Sequence, residues 1–261
     1  MKKYLQLYWA FFRASMTADL EFRANFATKI VTDIFWYGAQ IISFEVLFNF
    51  TDDIGEWNRA QMRIFLGILF VVDAIYMVMF STNLDTFSDG VRKGSLDLML
   101  TKPANSQFVM SCQRASTAHL GNLAMGVAWL AWALSNQNEY VGWRLLWLIP
   151  LIPAGVLIFY SIRFLFSAVA LIFTRAENIQ YMFYSLYKLS MRPDTIYPPW
   201  LKYTVLTIAP FGLIGSVPAR VALGMASSYM ALWVVAVALL CLFVTTRFWK
   251  YALSQYTSAS S

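Results

Sequence analysis

The chain alternates long apolar blocks with short polar gaps. A bilayer core of about 30 Å takes about 20 apolar residues of helix to cross. Blocks at about 28–50, 62–84, 108–134, 143–173 and 228–249 reach that length. Lipid offers the backbone no hydrogen-bond partner, so each block must satisfy its own groups, and helix is the simplest way. Segments of about ten residues alternating apolar and polar, which would mark a membrane β-barrel, are absent from the sequence.

Residues 1–27 read differently. Leu5, Tyr8, Phe12, Met16, Phe22 and Phe26 recur at helical spacing, but Arg13, Asp19, Glu21 and Arg23 interrupt them. That pattern predicts a helix lying along a membrane surface. The basic start lacks a small-residue cleavage site before the first long block, so no cleaved signal peptide is expected. In the third block Gly121, Ala124, Ala128 and Ala131 form a small-residue stripe that would let helix backbones approach. Pro150 and Pro153 predict a kink or tilt near the start of the fourth. From 175 to 224 two readings stand: a fifth span over about 176–197 followed by a re-entrant hairpin over 198–224, or an interfacial first half and a spanning second half.

The longest break between blocks is 85–107, DTFSDGVRKGSLDLMLTKPANSQ. It gathers Asp85, Asp89, Arg92, Lys93, Asp97 and Lys102 in a chain otherwise poor in charge. Gly90 and Gly94 precede an apolar run of Leu96, Leu98, Met99 and Leu100, and Pro103 follows it. A short amphipathic helix between a glycine and a proline is the reading.

Composition supports the membrane class: 59% hydrophobic and 13% charged, against about 25% charge in soluble domains. The net charge of +6 reports loop placement rather than nucleic-acid affinity. Lys2, Lys3, Arg13, Arg23, Arg92, Lys93, Lys102, Arg114, Arg175, Arg247 and Lys250 fall on one side of a six-span layout. Arg59, Arg63 and Arg144 fall on the other. Basic loops stay in the cytoplasm, which places both termini and residues 85–107 there. Trp57, Trp129, Trp132, Trp143, Trp147 and Trp200 then cluster at the outer ends. Cys112 and Cys241 read as buried thiols, with no disulfide or metal framework.

Motifs for chemistry are few. GVRKGS has neither the spacing nor the Gly-Lys order of a phosphate-binding loop, and no clustered Cys/His or nucleophile motif occurs. His119, the single histidine, reads as packed and hydrogen-bonded. Asp33, Glu45, Asp73 and Arg163 lie inside blocks, where charge is expensive and so faces protein or water. An Asp73–Arg163 pair is expected at compatible depths, with Asp33 and Glu45 reaching toward the interfaces. An intramembrane lipid-modifying enzyme using Asp33, Asp73 and His119, or a stand-alone ion-coupled carrier, is the alternative function these residues leave open.

The segment DGVRKGSLDLMLTKPANSQF resembles the cytoplasmic loop of type-2 ABC transporter permeases, the six-span group with a Gly-x-Leu-Asp-Leu-x-Leu-x-x-Pro signature. Gly94, Leu96, Asp97, Leu98, Leu100 and Pro103 match it, and Lys102 stands at the polar position before the proline. The end RFWKYALSQYTSAS and the proline-rich 196–224 are similar to the family's last span and its outer re-entrant element. The resemblance covers the chain in order and length. It implies a single all-α permease domain over 1–261 with six transmembrane helices, an interfacial N-terminal helix, an outer re-entrant hairpin before the last span, and both termini inside. It also implies a fifth span ending near the prolines, and Lys188 falls within that span. The function implied is an ABC exporter permease in a bacterial plasma (inner) membrane, not an enzyme by itself. Its partners would be a cytosolic ABC ATPase dimer carrying ATP and Mg, a second permease, identical or paralogous, and membrane lipids, with no nucleic acid and no cofactor on this chain. Leu96, Leu98, Met99 and Leu100 would anchor the coupling helix in the ATPase, with Arg92, Lys93 and Asp97 at its rim.

Overall fold

The computed structural model describes residues 2–137, 142–169, 171–172 and 177–256. Arg175, the end of the fourth block at 173, residues 138–141 between the third and fourth blocks and the tail after 256 lie outside the described residues. In chain order the helices are α1 (Lys2–Glu21), α2 (Arg23–Leu47) and α3 (Arg59–Tyr76), the last running through a π turn at Met77–Ser81 into α4 (Thr82–Asp85). Then come α5 (Phe87–Arg92), α6 (Ser95–Leu100), α7 (Ser106–Cys112), α8 (Leu120–Ser135) and α9 (Leu148–Val169). The series ends with α10 (Glu177–Tyr187), α11 (Pro199–Leu206), α12 (Ser216–Ala222) and α13 (Ser228–Gln255). The polar gap after α2 forms a small hairpin of β1 (Asp53–Ile54) and β2 (Trp57–Asn58).

α3 is the centre. Ile64, Phe65, Ile68, Phe70, Val72, Ala74 and Tyr76 are all buried, and a helix apolar all round is one packed all round. It starts on a capping box: the Gln61 N–H donates to Asn58 Oδ1 (2.9 Å) and the Asn58 N–H to Gln61 Oε1 (3.1 Å). α8 packs on one side of α3 and α9 on the other, α13 runs along α9, and α12 fits among α3, α9 and α13. α2 leans on this group through Tyr37, which is buried, while Ile34, Phe35, Ile42 and Leu47 stay exposed.

Among the described residues, four stretches are long and apolar enough to cross a membrane as one helix: Arg23–Leu47, Arg59–Arg92, Gly142–Val169 and Ser228–Gln255. α11 with Phe211–Ala222 makes a fifth if counted together, although the pair is bent by 69°. Two expected spans are not single helices. The block at 108–134 breaks after α7, and the 16 residues of α8 rise only about 24 Å at 1.5 Å per residue. α10 has 11 residues before a 3-10 turn over Lys188–Met191. The two prolines of the fourth block fall in the first two turns of α9. There Pro150 lacks only an N–H that would be unpaired anyway, and Pro153 leaves the Ile149 carbonyl without its helix donor.

The break between α7 and α8 is held by distant side chains. Asn83 Nδ2 donates to the carbonyls of Ser111 (2.9 Å) and Arg114 (2.7 Å), and the Arg114 N–H donates back to Asn83 Oδ1 (3.0 Å). The Ser116 N–H reaches the Val78 carbonyl in the π turn (3.0 Å). From α1, Ser15 Oγ accepts from the Ala115 N–H (3.0 Å), and Asp19 Oδ2 accepts from the Thr117 N–H (3.0 Å) and hydroxyl (2.7 Å). Backbone freed from helix inside an apolar protein needs such partners. α1 is therefore a strut across the break as well as an amphipathic helix.

Of the small-residue stripe of the third block, Gly121 meets Ile30 of α2. Ala124, Ala128 and Ala131 are exposed, and the close approach of α3 to α8 runs through Gly67 and Gly126. A Cβ on Gly67 would sit 2.9 Å from Leu130 Cα, and one on Gly126 3.2 Å from the Phe70 carbonyl carbon. Gly67→Val is accordingly expected to destabilise the fold by about 1–3 kcal/mol through overpacking, whereas Ala124→Val changes little. Thermal unfolding in detergent checks both. Equal midpoints for the two variants would remove Gly67 from the helix contact.

Candidate functional site

Residues 85–107 form a compact element at one end of the helix group. α5 closes at Gly94, whose φ of +71° is left-handed, a conformation glycine takes without a Cβ penalty. α6 follows directly, and Ser95 Oγ ties it back to the Gly90 carbonyl (2.7 Å). Asn105 Oδ1 then caps α7 by accepting from the Phe108 N–H (3.0 Å). Tyr4 of α1 meets Phe108 edge-on at 4.9 Å.

The expected four-residue apolar anchor splits into two faces. Leu96 is fully buried, Phe87 is buried against Trp249, and Met99 is half-buried beneath Gln113. Leu98 is 72% exposed and Leu100 38%. Lys93, Lys102 and Pro103 are exposed, Asp97 is half-buried, and Arg92 pairs with Asp89 at 2.9 Å. The element thus offers two exposed leucines, with Arg92, Lys93 and Lys102 exposed on the same short segment. Leu96 and Met99 hold it to the rest of the protein.

Asp85, at the start of this element, connects it to two long helices. Arg163 of α9 donates to Asp85 Oδ1 (2.8 Å), to the Leu84 carbonyl (3.1 Å) and to Ser167 Oγ (2.9 Å). The Tyr184 hydroxyl of α10 donates to the same Asp85 oxygen (3.0 Å). The guanidinium lies over Phe183 at 5.1 Å and over Tyr184 at 5.8 Å. The Arg163 side chain is 3% exposed against 30% for Asp85. The pair therefore sits where the 85–107 element joins the helix interior.

Asp73 and Arg163 do not pair with each other. Asp73 is buried and accepts from Tyr37 (2.9 Å, α2) and Tyr187 (2.6 Å, α10). Tyr37 stacks on Phe70 and Tyr187 on Phe159. These two hydroxyls satisfy the carboxylate where a guanidinium was expected. Asp33 and Glu45 each have a partner within the protein. Asp33 bonds His119 (2.7 Å) and Asn122 (2.8 Å) on the α8 side, and Glu45 takes a two-pronged pair from Arg63. His119 is packed and hydrogen-bonded, with Asp33 as partner. Asp33 and His119 are thus bonded to each other while Asp73 is held by the two tyrosines, and among the described residues no group of three His, Cys, Asp or Glu could hold a metal ion.

Sequence reasoning missed Asp85, Tyr184, Tyr37 and Tyr187 as partners, because a tyrosine in an apolar block reads first as filling. It also missed Asp194, fully buried beside the proline cluster. Asp194 takes the Ser216 hydroxyl, pairs with Arg220 at 3.0 Å, and its N–H donates to Ser216 Oγ (3.2 Å). Trp57 Nε1 reaches Thr195 Oγ1 (3.0 Å) from the β hairpin. The bend between α11 and α12 is thereby locked to the turn before it.

No curated protein and no solved structure matches this chain significantly. The family profile described as ABC-2 family transporter protein matches residues 34–260, a stretch containing every helix from α3 to α13 and the Asp73, Asp85 and Asp194 clusters, with Asp33 and α1 before it. A helical protein with several membrane-length helices and an exposed two-leucine element at one end is in keeping with a transporter's membrane subunit. The chain belongs to the ABC-2 family of transporter proteins, and is a permease of an ABC transporter.

Proposed function

We propose that this permease exports its substrate with ATP hydrolysed by a separate cytosolic ATPase dimer, and that residues 85–107 are the lever receiving that work. The observation that carries the reading is the combination of Leu98 and Leu100, exposed on a segment that also exposes Arg92, Lys93 and Lys102, with the Asp85–Arg163–Tyr184 junction at the start of that segment. Apolar side chains in the open, on a segment that also carries charge, fit a groove on a partner. The junction gives a displacement of that element a rigid route into α9 and α10.

In this reading ATP and Mg sit on the ATPase, and a second permease, identical or paralogous, completes the pathway in a bacterial plasma membrane. The chain crosses six times, with α7–α8 as a broken third crossing and α10 with its 3-10 turn as the fifth. α11 and α12 dip in and out on the outer face. Both termini then share the cytoplasmic side with 85–107, as the basic residues of α1 and of the end of α13 favour.

Gentle purification from the native membrane tests this. An ABC ATPase and a second permease are expected to co-purify, with ATP hydrolysis in the eluate. A permease that stays without an ATPase under several mild conditions, yet transports, would sink the proposal.

A further inference from the structure

Lys188 and Arg192 take no part in the junctions described so far. Lys188 opens the 3-10 turn after α10 and Arg192 follows it, and together they form one wall of a cleft of about 450 Å³. The opposite wall is α2, with Trp36, Gln40 and Phe44. A narrow crevice lined by Trp36, Gln40 and Met191, which also line the cleft, continues inward to Asp73 and Tyr187.

The cleft has an unbalanced charge. Among the described residues neither Lys188 nor Arg192 forms an ion pair. Glu45 is engaged by Arg63, Asp194 by Arg220 and Asp73 by two tyrosines. Among the described residues the lining itself holds no carboxylate, although the exposed Asp53 and Glu56 stand beside the lining residue Ile54 on the hairpin. Leu47 at the end of α2 and Ile54 of the β hairpin also line the cleft. In the proposed topology the cleft therefore lies at the outer end of the crossings, where an anionic head can reach exposed cations while its tail enters the hydrocarbon. Two cations four residues apart, at the edge of a space walled by Trp36 and Phe44, present a place for an anion with a tail.

We propose that this cleft binds an anionic amphiphile. Its phosphate, sulfonate or carboxylate head lies between Lys188 and Arg192, with Gln40 and Ser43 as additional hydrogen-bonding groups, and its hydrocarbon runs along Trp36 and Phe44. The occupant is either a resident acidic lipid or a transported molecule of that chemistry. The site depends on the chain lying in a membrane and does not depend on ATPase coupling, so it is tested with no ATPase present.

The experiment uses the full chain in phosphatidylcholine nanodiscs, at mildly alkaline pH. Doxyl-stearic acid and its methyl ester, identical in tail and different in head charge, quench tryptophan fluorescence. The Trp36 contribution is taken by difference from Trp36→Phe. The acid is expected to quench Trp36 with an affinity about tenfold or more above the ester, a difference of about 1.4 kcal/mol. Lys188→Gln/Arg192→Gln should bring the ratio to about one, with an unchanged unfolding midpoint, since both side chains are exposed. Equal quenching by acid and ester, or an acid preference that survives the double substitution, overturns the proposal. So does a double variant whose only change is its oligomeric state, because the cations would then face acids of a second copy. Replacing part of the phosphatidylcholine with phosphatidylglycerol separates the two sources. Displacement of the acid assigns the site to lipid headgroups, and retention assigns it to the free amphiphile.

Discussion

Leu98→Asp is expected to lower transport about thirtyfold or more while the permease still inserts and folds with an unchanged unfolding midpoint. Truncating or charging a central apolar contact at an interface costs about 2 kcal/mol or more, and Leu98, 72% exposed, has almost nothing to lose within its own chain. Leu96→Asp provides the contrast. Leu96 is fully buried, so its substitution should cost the fold itself, on top of the roughly 2–5 kcal/mol of a core truncation. Transport in inside-out vesicles and ATP hydrolysis by the co-purified complex are the two readings. Loss of transport with ATPase turnover retained is the uncoupled state. Wild-type transport by Leu98→Asp would mean that the ATPase docks elsewhere.

A second large effect is expected at the Asp85–Arg163 pair. Asp85→Ala leaves Arg163 charged and 3% exposed, and breaking a buried pair from one side costs about 3–5 kcal/mol. The expected result is poor folding or rapid loss in detergent. Replacing both residues, Asp85→Leu with Arg163→Met, should recover most of the stability, because well-packed apolar residues often replace an ion pair at little cost. The recovered double variant separates fold from function. If the pair passes motion from 85–107 into α9 and α10, the variant is folded, binds ATPase and does not transport. Transport near the wild-type rate would make the pair a structural fastening only.

Local pattern was enough for some of this. The apolar blocks mark where α2, α3, α9 and α13 lie, and the 3.6-residue spacing of Leu5, Tyr8, Phe12 and Met16 marks α1. The glycine and proline around 95–100 bracket α6 because each constrains its own backbone whatever the surroundings. What stayed hidden depends on residues far apart in sequence. Nothing local to 113–117 breaks a helix, since the partners that make the break affordable are Ser15, Asp19, Val78 and Asn83. Leu96 and Leu98 are equivalent as letters, and only the packing of Phe87, Trp249 and Met110 around the element decides which one turns inward. The partner of Asp73 was misread because charge suggests charge, while two stacked tyrosines from different helices satisfy a carboxylate without bringing a second ion inside.

The strut formed by α1 has a consequence for biogenesis. Ser15 and Asp19 are synthesised about a hundred residues before the backbone groups they bind at 115–117. When the third apolar block leaves the ribosome, its hydrogen-bond acceptors have already been made. A chain lacking α1 would deliver the same block with the Ala115 and Thr117 amides bare, and quality-control proteases would meet it at that step. Shortening the N-terminus should therefore reduce the amount of permease recovered before it alters the rate of any molecule that survives.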